Sequence, residues 1–135
     1  MQASGVAGTI AFDGHTVVIA RKSIGLADET RSTSLASLTA IDYRPASFAQ
    51  SGFVRIIANG TTPSSFTILD KNAVPFKLEE QEAFIEVYCS IYASIHGERP
   101  DDTSLRHKTP IWVLVVALVF VSIFTFFWFK VILSV

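Results

Sequence analysis

Two hydrophobic periods divide this chain. From Thr9 to about Phe76 the apolar residues alternate over short runs punctuated by turn residues, the mark of half-buried strands. Thr9-Ile10-Ala11-Phe12, then Asp13-Gly14, then His15 to Ala20 predicts a hairpin, because Asp-Gly tolerates the positive φ angles of a tight turn. A third strand is expected from Leu38 to Tyr43, ending near Arg44-Pro45 because proline cannot donate to an interior ladder. Another follows Ser51-Gly52 as Phe53 to Ala58 and is closed by Asn59-Gly60. Thr61 to Ser65 reads as a loop, and Phe66 to Leu69 and Val74 to Phe76 as two shorter strands. Residues 23–37 leave a short strand, a loop and a helical turn all open.

The period changes at Leu78. Over Glu79 to His96, Phe84, Val87, Tyr88, Ile91 and Ile95 recur at steps of three and four, predicting an amphipathic helix. Glu79, Glu80 and Glu82 suit the positive end of its dipole, and Gly97 stops it. Pro100 to Ser104 reads as a polar linker. Residues 111–129 then carry no charge, glycine or proline; as a helix they extend about 28 Å, close to the ~30 Å of bilayer hydrocarbon. This pattern predicts one transmembrane helix.

The expected organisation is a folded domain at 1–97, a polar and basic neck at 98–109, a membrane anchor at 110–132 and a short extracytoplasmic tail at 133–135. The anchor is bounded by Ile111 and Trp112 on one side and Trp128 and Phe129 on the other, with the tryptophans placed as interfacial aromatics. Arg106, His107 and Lys108 precede it, and MQASGVAGTI lacks a basic leader and a long apolar run. The positive-inside rule then gives a single-pass, tail-anchored protein of the inner (plasma) membrane, with its N-terminal domain in the cytoplasm.

The net charge of −1 conceals a division, with −4 on residues 1–104 and +3 on the remainder. An acidic domain repels phosphate backbones, so nucleic acid is not an expected partner. The single cysteine, Cys89, excludes an intrachain disulfide and a multi-cysteine metal site. It lies in an apolar helical context with no adjacent cation, which predicts a buried, unreactive thiol.

Several strands followed by one closing helix is the order of pleckstrin-homology-like domains. Phe12-Asp13-Gly14 before Val17-Val18-Ile19, Tyr43-Arg44-Pro45-Ala46, Gly52-Phe53-Val54-Arg55 and Asp70-Lys71-Asn72-Ala73-Val74-Pro75-Phe76 make residues 5–95 resemble an actinobacterial family of uncharacterised bacterial pleckstrin-homology-like domains. The resemblance implies an α+β fold, a small β-barrel or sandwich of antiparallel strands closed by a C-terminal amphipathic helix. It implies no reaction, because that family has no established catalytic residues to carry over.

The chain's own chemistry points the same way. His15, His96 and His107 are scattered, with no pair at the i, i+4 spacing of zinc helices, so no metal is expected. Glu79, Glu80, Glu82 and Glu86 fit a solvated helix face. No nucleophile elbow or phosphate-cradling glycine loop occurs, and the first hairpin turn, Asp13-Gly14-His15, is acidic where a phosphoinositide site would be basic. No cofactor is expected.

What remains is protein interaction. Arg44, Phe48, Phe53 and Arg55 flank the Pro45 to Gly52 loop and combine the aromatic and guanidinium types enriched at hot spots, although core phenylalanines with surface arginines would give the same pattern. The expected function is that of a non-enzymatic protein whose domain binds a protein partner at the lipid bilayer, as an accessory subunit or modulator of a membrane complex. The alternative is a self-assembling homo-oligomer, such as a membrane-stress or phage-encoded exclusion factor. The apolar segment's lack of a Gly-x-x-x-Gly seam favours the first.

Overall fold

A computed structural model describes residues 1–22, 28–62, 70–106 and 111–133, with the side chains of the last segment described at 115–125 and 128. Strand β1 (Gln2–Gly5) pairs antiparallel with β2 (Gly8–Phe12), β2 with β3 (Thr16–Arg21), and β3 with β4 (Glu29–Ser34). A second sheet orders β5 (Leu38–Arg44), β6 (Gly52–Ala58) and β7 (Ala73–Phe76).

The β2–β3 hairpin forms where Asp-Gly places it. The Asp13 carboxylate accepts from the backbone N–H groups of His15 and Thr16 at 2.8 and 2.7 Å, and Gly14 takes φ +101°. Both hydrogen bonds favour the charged carboxylate and lower its pKa. In the resulting register Phe12 faces Val17 and Ile10 faces Ile19, so all four point to the core. In the second sheet, alternation buries Val54 and Ile56 of β6 with Val74 and Phe76 of β7.

Helix α1 (Gln81–His96), preceded by a 3₁₀ turn at Leu78–Glu80, covers these inner faces with Phe84, Ile85, Val87 and Ile91. The Phe84 ring stacks on Phe76 with centroids 4.4 Å apart, joining the helix to β7. Gly97 ends α1 in the left-handed conformation at φ +78°, its N–H donating to the Ala93 carbonyl.

Polar ties hold the two sheets together. Arg21 of β3 donates to the Asp70 carbonyl at 2.7 Å, and Arg31 of β4 to Asn72 Oδ1 at 3.0 Å, both in the turn before β7. No ladder joins β4 to β5 among the described residues. The expected small barrel or sandwich is therefore corrected: among the described residues the strands form two small antiparallel sheets of four and three with no closed barrel, and a 3₁₀ turn at Leu35–Ser37 separates β4 from β5. Of the open alternatives for residues 23–37, the described part holds β4 and that turn. The expected strand Phe66 to Leu69 lies outside the described residues.

Pro100 to Ser104, read from the sequence as linker, contains the short helix α2 (Asp102–Leu105), with Asp101 as its N-cap accepting from the Thr103 N–H at 3.0 Å. Beyond it runs α3 (Ile111–Leu133), whose only charged residue is Lys130 and whose described large side chains, from Val115 to Phe124 and Trp128, are exposed. Among the described residues no helix is long and apolar enough to cross a membrane. That finding overturns the expected transmembrane anchor, and with it the tail-anchored, single-pass arrangement and the inner-membrane localisation. The side chains of Ile111, Trp112 and Phe129, named as anchor boundaries, lie outside the described residues; Trp128 is exposed and packs near Phe124 at 6.4 Å between centroids.

Candidate interaction surface

The outer face of the β5–β6–β7 sheet gathers three of the four expected partner-binding residues. Strand alternation turns Gly52, Val54 and Ile56 inward, so Phe53 and Arg55 face out, and cross-strand pairing puts Arg44 and Pro75 on either side of Phe53. The Arg44 and Arg55 guanidinium carbons lie 5.7 and 5.5 Å from the Phe53 ring centroid, within cation–π range on a half-buried ring.

The two arginines are not equivalent. Arg55 binds Asp42 through Nη2 at 2.5 Å and Nε at 3.2 Å, and its Nη1 lies 3.7 Å from the carboxylate of Asp70, itself buried at 5% exposure. It is a structural residue that neutralises a buried acid. The Arg44 side chain makes no hydrogen bond or ion pair among the described residues, and its guanidinium lies over Phe53.

Phe48 completes the set from the β5–β6 loop, at the end of the sheet where β5 stops, β6 starts and β7 stops. Its side chain is fully exposed, at 101%. The loop holding it is built rigidly. Ser47 and Gln50 exchange backbone hydrogen bonds at 2.8 and 3.3 Å. At the loop's root the buried Ala46 donates its N–H to Gln81 Oε1 at 2.8 Å, from the first turn of α1. On its other side Gly52 fits so tightly that a Cβ there would lie 2.6 Å from Ala46 N, Arg44 O and a Phe76 ring carbon. The loop and Lys77–Glu79 enclose an open hollow of about 360 Å³, with Leu78 exposed across it.

The basic neck is partly resolved into ion pairs. Arg106 binds Glu82 through Nε at 3.0 Å and Nη2 at 2.7 Å, holding the Glu82 carboxyl below its ordinary range. Arg99 binds Glu86 and Asp102 at 3.0 and 3.2 Å and lowers the Asp102 pKa. His107 and Lys108 lie outside the described residues.

The remaining chemical candidates disperse. His15 borders a groove of about 440 Å³ with Ser34, Leu35, Leu38, Ser94 and Ile95, and no carboxylate among the described residues lines it. His96 lies against the Tyr92 ring, 4.2 Å between centroids. Among the described residues no group of three or more His, Cys, Asp or Glu could hold a metal ion. Cys89 is buried, its Sγ donating to Asp102 Oδ1 at 3.3 Å, and its pKa is pushed up to about 11 by burial and then by that carboxylate. A thiol so poised is a poor nucleophile at neutral pH.

Two residues that matter here escaped the sequence reading. Gln81 is a buried polar side chain that fixes the Phe48 loop, and Asp70 anchors Arg55. Gln81 could have been found from its spacing, since it shares the helical face of Phe84 and Tyr88 at steps of three and four. Set against protein families, curated proteins and solved structures, the chain has no match in any of them.

Proposed function

We propose that this chain is a non-enzymatic protein-binding module whose partner docks at the end of the β5–β6–β7 sheet, on Phe48 and the Arg44–Phe53 pair. The observation that carries the reading is the fully exposed Phe48 on a loop fixed by Gln81 and Gly52. An exposed aromatic on a mobile loop would be ordered only on binding, at an entropic cost; a fixed one is preorganised. Arg44 defines the partner's chemistry. Its guanidinium has no ion pair among the described residues and lies over Phe53, 5.7 Å from the ring centroid, so it suits a carboxylate or a run of carbonyl oxygens beside an apolar residue that covers Phe48. The resemblance to uncharacterised bacterial pleckstrin-homology-like domains, which brings no catalytic residues, remains part of this proposal.

Site-specific photocrosslinking tests it. A benzophenone amino acid at position 48 should give one defined heterologous band in cells, weakened by Arg44→Ala, whereas the same probe at the exposed β4 position 32 should not. A ladder at multiples of the chain's own mass would establish self-assembly instead, and identical products from both positions would remove the surface from consideration.

A further inference from the structure

Residues after Gly97 turn back and run along α1 toward its N-terminus. Arg99 ties to Glu86, Asp102 to Cys89, and Arg106 to Glu82, while Leu105 packs partly buried against the core. Apart from Leu105 and the Cys89 thiol, the fastenings are solvent-exposed ion pairs, with Arg99, Glu86, Arg106 and Glu82 side chains about half exposed or more. Such pairs hold weakly and are screened by salt.

The surface beneath is incompletely satisfied. The Tyr43 hydroxyl of β5 is buried without a hydrogen-bond partner among the described residues, in the field of Glu82, Cys89 and Arg106 where α1 meets the returning segment. Opening of that segment brings the hydroxyl nearer to solvent, where it can be hydrogen-bonded. Weak fastenings and an unmet polar group oppose each other at one place.

We propose that Glu98–Arg106 is a clasp that opens from α1 while the two sheets and α1 stay folded, so that its state sets how far everything beyond Arg106 can reach from the domain. Nine released residues span at most about 30 Å. Opening also uncovers Cys89, which supplies the readout, since it is the chain's sole cysteine.

The test is the rate at which a disulfide reagent labels Cys89 in the folded full chain, with Cys89→Ser as the blank. Arg99→Ala combined with Arg106→Ala should speed labelling at least tenfold while urea unfolding and the exchange of the Val54 amide in β6 change little. The unaltered chain in 1 M NaCl should label several-fold faster than in 0.05 M, without recourse to any variant. Labelling that is indifferent to salt, or that tracks the global unfolding equilibrium in every sample, would mean Cys89 is exposed only when the whole domain unfolds, and the clasp would be refuted.

Discussion

Replacing Gln81 with leucine isolates the bond that joins the helix to the binding loop. The two side chains are close in volume, so the change removes an acceptor without leaving a large cavity. Its partner, the Ala46 N–H, belongs to a fully buried residue, and Gln81 itself is 5% exposed. An amide left unpaired at such a site costs about 1–3 kcal/mol. For a domain near 100 residues, each kcal/mol moves Tm by roughly 4–8 °C, so Tm should fall by about 5 to 20 °C. Both tryptophans lie in α3, so unfolding is followed by far-ultraviolet dichroism and amide exchange rather than by tryptophan emission. A cost of about 2 kcal/mol expressed as local opening corresponds to roughly thirtyfold faster exchange at Ala46. Gln81→Glu, which keeps an oxygen acceptor, should preserve Ala46 protection despite a cost in stability from burying charge. Crosslinking at position 48 should weaken with Gln81→Leu, because a loosened loop loses its preorganisation. If Gln81→Leu changed stability by less than about 0.5 kcal/mol and Ala46 exchange by less than about threefold, the bond would not be what holds the loop.

Three further outcomes follow from the same geometry. Arg55→Ala removes the guanidinium beside the buried Asp70 carboxylate, leaving its hydrogen bond from the Asn72 N–H in place, and should cost about 3 kcal/mol in urea unfolding, whereas Arg44→Ala, which loses only a half-buried cation–π contact, should cost about 1 kcal/mol or less. Gly52→Ala must displace Ala46, Arg44 or Phe76 and should cost about 1–3 kcal/mol, while Gly14→Ala meets nothing within 4 Å and strains only its positive φ; calorimetry of the two separates crowding from backbone strain. The Glu82 and Asp102 carboxyls are held below their ordinary pKa by Arg106 and Arg99, so they favour the closed clasp in full above the ordinary carboxylate range near pH 4. That contribution disappears as pH falls through the depressed values, and carboxyl NMR should place each midpoint below that group's ordinary value together with loss of amide protection in Glu98–Arg106.

Elements whose own side chains make the core could be read from the sequence. The β2–β3 hairpin, β5, β6 and α1 each carry apolar residues at the period of their geometry, and Asp13-Gly14 and Gly97 mark their ends. Strand β1 was missed because it is four residues long with one buried apolar side chain, Ala3. Strand β4, Glu-Thr-Arg-Ser-Thr-Ser, has no hydrophobic alternation at all; β3 imposes its register, and polar side chains suit a strand with no second neighbour among the described residues. The Arg44, Phe53 and Arg55 grouping was legible because all three flank the Pro45 to Gly52 loop. What could not be read was which arginine is spent, since the acids that engage Arg55 lie 13 and 15 residues away along the chain and meet it only through the register of β5 and the turn before β7. The uncharged run at 111–129 shows the converse error, in which length, composition and basic flank were read as a spanning helix.

The assignment of arginines also decides where a partner can dock. Of the six in the chain, Arg21 and Arg31 tie the two sheets together, Arg55 neutralises Asp42 and Asp70, and Arg99 and Arg106 fasten the clasp. Arg44 alone has no such engagement among the described residues. On a segment whose formal charge is −4, an anionic partner is repelled over most of the surface and meets an unspent guanidinium at one sheet end. Phe48 and Leu78 lie at that same end. Fully burying a phenylalanine is worth about 1.5–3 kcal/mol, whereas an exposed charge pair contributes about 1 kcal/mol or less and is screened by salt. Arg44 therefore governs which segment binds and in what orientation, while Phe48 supplies most of the affinity. Raising the salt should slow association and weaken binding only modestly, and Phe48→Ala should abolish most of it at any salt concentration.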